Sequence, residues 1–158
     1  VYGAQGISAG YATNIPPHNL GEVIDATIYR IDHPECSLED LMQFVKGPDF
    51  PTGAIVEGIE GIKDAYTTGR GKINIRSKYT FEEDKSKTSL VITEIPFETN
   101  KALLVKKIDD IRIDKKIEGI VEVRDESAAD IRIVIDLKKN ANKDLIVNYL
   151  LKNTDMIF

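Results

Sequence analysis

The chain has 158 residues, of which 42% are apolar and 30% charged, and its formal charge is −5. This is an ordinary globular balance, with room for one domain or a domain plus part of another. No run of about 18 apolar residues is present, which excludes a membrane-spanning helix; the single cysteine, Cys36, excludes an internal disulfide framework and suits a reducing compartment.

The first stretch, GAQGISAGYATNIPPHN (3–19), reads as a glycine-rich loop with Ile7 isolated among small residues. Asn19 and Glu22 have capping-box spacing, and Leu20, Val23, Ile24, Ile28 and Ile31 follow on one helical face. A second helix starts at Ser37 and is expected to bury Leu38, Leu41, Met42 and Val45; the prolines of KGPDFPTG (46–53) stop it. AIVEG reads as a short strand, and IEGIKDAYTTG as a short helix closed by Gly69.

KINIRSKY (72–79) reads as one strand, with Ile73, Ile75 and Tyr79 on one face and Lys72, Asn74, Arg76 and Lys78 on the other. FEEDKSKT is a charged hairpin loop, and SLVITEI (89–95) the returning strand. A helix from about Asn100 to Lys115 is expected to bury Ala102, Leu104, Val105, Ile108 and Ile111. IVEV (120–123) and IRIVIDL (131–137) are strands, the second pointing Ile131, Ile133, Ile135 and Leu137 inward. A last helix, starting near Asn142, is expected to bury Leu145, Ile146, Tyr149 and Leu150. The order predicts an α+β two-layer sandwich: a mostly antiparallel four-stranded sheet with helices on one face, the basic row lying on the wet face.

The opening glycines do not make a nucleotide loop. Their spacing is Gly-x-x-Gly-x-x-x-Gly, Pro16 and Pro17 separate them from the next helix, and no Gly-Lys-Ser/Thr follows. Arg70, Lys72, Arg76 and Lys78 place four cations in nine residues without an acid. That row fits either a solvated strand face or a surface that tracks phosphates. Arg124, Asp125 and Glu126 form a charged corner suited to a structural ion-pair network. His18 and His33 supply little for a metal site, and no nucleophile has an activating neighbour. The residues therefore contain no complete catalytic or metal site.

GISAGYATNIPPHNLGEVIDA, GPDFPTGAI, AYTTGRGKINIRSK, ITEIPFETNKALLVKKI and GIVEVRDES, in this order, resemble the A subunit of bacterial type IIA topoisomerases. AGYATNIPPHNL and YRIDHPECSLEDLMQFVKGPDFPTG resemble the topoisomerase IV branch more than the DNA gyrase branch. The chain opens on Val1 without Met and ends on an apolar TDMIF, so a piece of a longer protein is expected. The resemblance implies a junction at the end of a winged-helix region over residues 1–46 and a tower domain over 47–158.

For the parent, the resemblance implies an ATP-hydrolysing enzyme that passes one duplex through a transient break in another. Its tyrosine nucleophile lies outside this stretch, and Mg2+ and ATP belong to the partner B subunit. It further implies an A-subunit homodimer within a holoenzyme of two A and two B subunits, at work on double-stranded DNA in the bacterial cytoplasm, on the nucleoid, with no membrane partner. Ile7 takes the place of the isoleucine that wedges between base pairs and kinks the duplex; Arg70, Lys72, Arg76 and Lys78 match the basic surface that supports the bent arms. Two departures stand out: Tyr2 replaces the family's usual Asn, and RDESAADIRI is shorter than the usual connection. The other reading of the chain is an α+β structural or protein-interaction domain that touches no nucleic acid.

Overall fold

All residues from Val1 to Phe158 are described by the computed structural model, in which five helices and eight strands form two compact units. One unit comprises Val1–Pro51 with Gly58–Ile73; the other comprises Thr52–Glu57 with Asn74–Phe158.

The second unit holds the predicted sheet. Strands β5 (Lys78–Glu83), β6 (Thr88–Glu94), β7 (Ile120–Asp125) and β8 (Ile133–Leu137) pair antiparallel in the order β5-β6-β8-β7. Leu90, Ile92, Ile133, Ile135 and Leu137 project from one face into a core completed by helices α4 (Lys101–Ile113) and α5 (Lys143–Asn153), through Leu104, Ile108, Ile146, Val147 and Leu150. Both helices begin where the sequence provides a cap: Asn100 Oδ1 accepts from Leu103 N, and Asn142 Oδ1 from Leu145 N, each at 3.1 Å. Ala102 and Leu145 are exposed, so each buried stripe is narrower than its sequence suggests.

The stretch 72–79 is not one strand. Ser77 is fully buried and donates its N–H to Met156 O at 2.7 Å, which interrupts the run. Before it, β4 (Asn74–Arg76) pairs with β3 (Ile55–Glu57) in a separate two-stranded sheet, and Ile75 exchanges backbone bonds with Phe158. After it, β5 begins. Alternation along the sequence could not register this switch of partners, because it assumes a single continuous ladder.

The sheet face away from the helices carries an ion-pair lattice beside buried Val91 and Val134, not a basic row. Register places Glu82, Ser89, Asp136 and Glu122 across it. Arg132 grips Glu82 through both terminal nitrogens at 3.0 and 2.8 Å, and Arg124 reaches Asp136 at 2.6 Å. The Arg132 hydrogen bond holds the Glu82 carboxyl below its ordinary range. The charged corner at 124–126 is therefore an ion-pair network: Glu126 lies 3.3 Å from Arg124 and 3.2 Å from Arg132, while Asp125 pairs with Lys101 at 3.1 Å.

The first unit begins with a β-hairpin where the sequence suggested an irregular loop. Strands β1 (Ala4–Ser8) and β2 (Tyr11–Ile15) pair along their whole length. Gly10, at φ +82°, takes the left-handed conformation that lets two residues turn the chain. The hairpin escapes sequence patterning because neither face is buried, so no alternation marks it.

Helix α1 (Leu20–Asp32) starts at the Asn19 cap, as expected, but its apolar stripe does not face a core. Leu20, Ile24, Ile28 and Ile31 are 47–71% exposed, and Ala26 is the buried residue of the helix. Periodicity reports that a face is apolar; it does not report what covers it. Helix α2 (Leu38–Met42) opens with a Ser37/Asp40 capping box, and its side chains are at most half-buried. Helix α3 (Ile59–Thr68) ends at Gly69. No helix of the chain is long and apolar enough to cross a membrane.

Candidate nucleic-acid interface

Ile7 stands on β1 directly opposite Ala12 and one residue before the end of the strand. It is 93% exposed. Gly6 and Ser8 flank it with minimal bulk, so a branched apolar side chain projects from a slim ribbon.

The root of the ribbon is held by a dense set of bonds. His18 N–H donates to Val1 O at 3.0 Å, and the Val1 nitrogen donates to His18 O at 3.1 Å. The His18 ring lies between Pro16 O (2.8 Å from Nδ1) and the Tyr66 hydroxyl (2.5 Å from Nε2). A carbonyl can only accept, so Nδ1 carries a proton toward Pro16 O, while Nε2 and the Tyr66 hydroxyl share the second hydrogen bond. Burial, and then the Glu22 carboxylate, push the Tyr66 pKa up. Asn19 is tied as well: its Oδ1 accepts from Glu22 N, its amide donates to Asp49, and Asp49 N–H donates to Pro17 O at 2.9 Å. The reach from His18 to Tyr66 is 48 residues, which no local pattern reveals.

Arg70 and Lys72 lie just past α3 on a segment pressed against that helix. A Cβ on Gly61 would overlap the Lys72 carbonyl, and one on Gly71 would overlap Gly61 O and lie 2.7 Å from Ala65 N. Such backbone-on-backbone contact is open only to glycine. The Thr68 hydroxyl adds a pin, accepting from Arg70 N at 3.2 Å and donating to Asp64 O at 2.8 Å. Both cations are exposed, and neither enters an ion pair.

Arg76 and Lys78 belong to the second unit. Arg76 is half-buried and already engaged: its Nε lies 3.0 Å from Glu57 Oε1, an ion pair out of line for a hydrogen bond, and its guanidinium sits 5.9 Å from the Tyr79 ring centre. Lys78 is exposed at the start of β5. The structure thus gathers Arg70 with Lys72, puts Arg76 and Lys78 on different strands, and leaves Arg76 the weakest of the four as a phosphate contact. No group of three or more His, Cys, Asp or Glu side chains converges to hold a metal ion.

The family of DNA gyrase/topoisomerase IV A subunits matches residues 1–157. Over 158 residues, covering 99% of the chain, the sequence is 60% identical to the A subunit of DNA topoisomerase 4 from Streptococcus pyogenes serotype M18 and 60% identical to that from Bacillus subtilis; identity to that from Staphylococcus epidermidis is 56%. The chain spans about a fifth of the length of these curated relatives, 19% of the first and 20% of the other two.

Proposed function

The chain belongs to the DNA gyrase/topoisomerase IV A-subunit family, and from that premise we propose that it is the duplex-gripping and duplex-bending part of the breakage-reunion subunit of a type IIA topoisomerase. The parent passes one duplex through a transient double-strand break in another, with ATP, Mg2+ and a B subunit supplied elsewhere in the holoenzyme. The relatives favour topoisomerase IV, and a place on the nucleoid goes with that reading. The observation that carries it is the bare hairpin: Ile7 is 93% exposed on a ribbon whose root is pinned. An exposed β-branched apolar residue weakens solubility and adds nothing to a core, whereas a wedge needs it. Unstacking a base step costs roughly a few kcal/mol, and contacts to the bent arms offset that. Arg70 and Lys72 on their braced segment, with Lys78 and to a lesser degree Arg76, serve as those contacts.

Ile7→Ala in the full-length protein, assembled with its B subunit, tests the wedge. Energy transfer between the ends of a labelled duplex should report loss of bending, and relaxation should slow by about tenfold or more, the equivalent of ~1.4 kcal/mol. The thermal transition should not move, because Ile7 packs against nothing. Bending at the wild-type level would overturn the assignment.

The cations are read through salt. Each phosphate contact contributes about 0.9 to the slope of log K against log salt, so Arg70→Gln combined with Lys72→Gln should flatten that slope by about 1.8. An unchanged slope would remove both residues from the DNA surface. The second reading, a domain without nucleic-acid contact, draws on the net charge of −5 and the ion-pair lattice on the sheet. It predicts wild-type bending and an unchanged slope in both experiments.

A further inference from the structure

The hairpin has two faces, and the wedge uses only one. Register places Gln5, Ile7, Ala12 and Asn14 on one side of the ribbon, and Ala4, Gly6, Ser8, Tyr11, Thr13 and Ile15 on the other. Tyr11 is the bulky group at the tip of this reverse face. It pairs with Ser8 across the ladder and is 81% exposed, and its hydroxyl makes no hydrogen bond within the chain. The turn between the strands, Ala9–Gly10, carries nothing larger than a methyl group. A slender tip therefore bears two large side chains, Ile7 and Tyr11, pointing in opposite directions. Tyr29, Tyr66, Tyr79 and Tyr149 are half-buried, and Tyr29 also stacks on His33 at 4.3 Å; Tyr11 has neither kind of support, and Tyr2, 97% exposed, lies ahead of the ribbon and off its paired faces.

Resting on the reading of Ile7 as a wedge, we propose that Tyr11 is a second DNA-binding residue. It packs its ring on the deoxyribose wall of the minor groove and donates its hydroxyl to a phosphate oxygen. The groove is only about 6 Å wide in straight duplex, and a kink toward the major groove opens it to admit the ribbon. A ribbon with one face at the unstacked step turns its other face to a groove wall. That wall is apolar along the sugars and anionic at its rim. A tyrosine has the same layout, an apolar body with a polar tip. The floor beside it is low, because Gly6 lies opposite Thr13 on this face. The contact adds no charge, so it stabilises the bent complex without changing counterion release.

Three forms of the full-length protein, assembled with its B subunit, test this on one labelled duplex. Tyr11→Ser should weaken binding by about tenfold, in the range that aromatic contacts to nucleic acid span, at an unchanged salt slope. Tyr11→Phe keeps the ring and forfeits only the hydrogen bond to phosphate, so it should bind about two- to fivefold more weakly than wild type and more tightly than Tyr11→Ser. A photo-reactive benzoylphenylalanine at position 11 should cross-link to the DNA strand beside the kink. Cross-linking to protein alone, or binding by Tyr11→Ser within about twofold of wild type, would overturn the proposal. The photo-cross-link decides even if the serine variant unravels the hairpin. Failure here is separable from failure of the wedge. If Ile7→Ala abolishes bending while Tyr11 variants bind normally, the wedge stands and the Tyr11 contact falls; if both bend DNA as wild type does, the underlying reading falls.

Discussion

Gly61→Ala should destabilise the first unit by about 1–3 kcal/mol, the range for forcing atoms into a filled site. Ordinary helix chemistry predicts the opposite sign, because alanine in a helix interior is favoured over glycine by ~1 kcal/mol. Here the added methyl meets the Lys72 carbonyl, a backbone atom that no rotamer change can withdraw. The segment carrying Arg70 and Lys72 must lift from α3, so the effect reaches function as well: the parent should lose affinity for DNA along with stability. Gly21→Ala is the matched control within α1. Its nearest neighbour is the Asn19 cap oxygen, at 3.2 Å, which must give by a few tenths of an ångström and offsets the alanine's helix preference, so the substitution should be close to neutral. Urea unfolding of both variants measures the contrast. Equal midpoints would show that the 70–72 segment is not held against the helix as described.

Asp136→Ala should be the second large loss, about 2–4 kcal/mol. Its side chain is 7% exposed and collects the Ser89 hydroxyl at 2.7 Å, Arg124 at 2.6 Å and Lys87 at 3.6 Å. Removing it leaves the Arg124 guanidinium half-buried beside its remaining acids, Glu122 and Glu126, and leaves Ser89 without its acceptor. Breaking one side of a buried pair is costly for that reason, whereas replacing both partners with apolar groups can be neutral. Asp136→Leu combined with Arg124→Leu should therefore recover most of the loss in denaturant titration. A double variant as unstable as Asp136→Ala would mean that the surrounding charges, and not this pair, set the energetics of the face.

These two sites differ in how far the sequence announced them. Alternation in IRIVIDL correctly assigned Ile133, Ile135 and Leu137 to the core, yet it made Asp136 a wet residue. Asp136 became buried because Ser89, Arg124 and Lys87 arrive from two other strands and their flanks. Gly61 showed nothing beyond a tolerated helix glycine until the 71–72 backbone was seen lying on it.

Local chemistry determined much of this protein. Asparagine caps started α1, α4 and α5, Gly69 ended α3, and two strand–strand–helix runs specified the α+β unit, because each of these signals acts over a few residues. The family, too, was legible in ordered strings such as ATNIPPHNL and GPDFPTG. The tertiary structure decided what lies across long separations: the break at Ser77 and the lattice that replaced the expected basic face. It also decided the bracing of Arg70 and Lys72, the pairing of His18 with Tyr66, and the exposure of α1 and the hairpin. Burial depends on which distant segment arrives at a surface, and a period in the sequence carries no record of that. Ile7 lacked any period because both faces of its ribbon are bare, and that same bareness leaves Ile7 and Tyr11 exposed, as the proposed DNA contacts require.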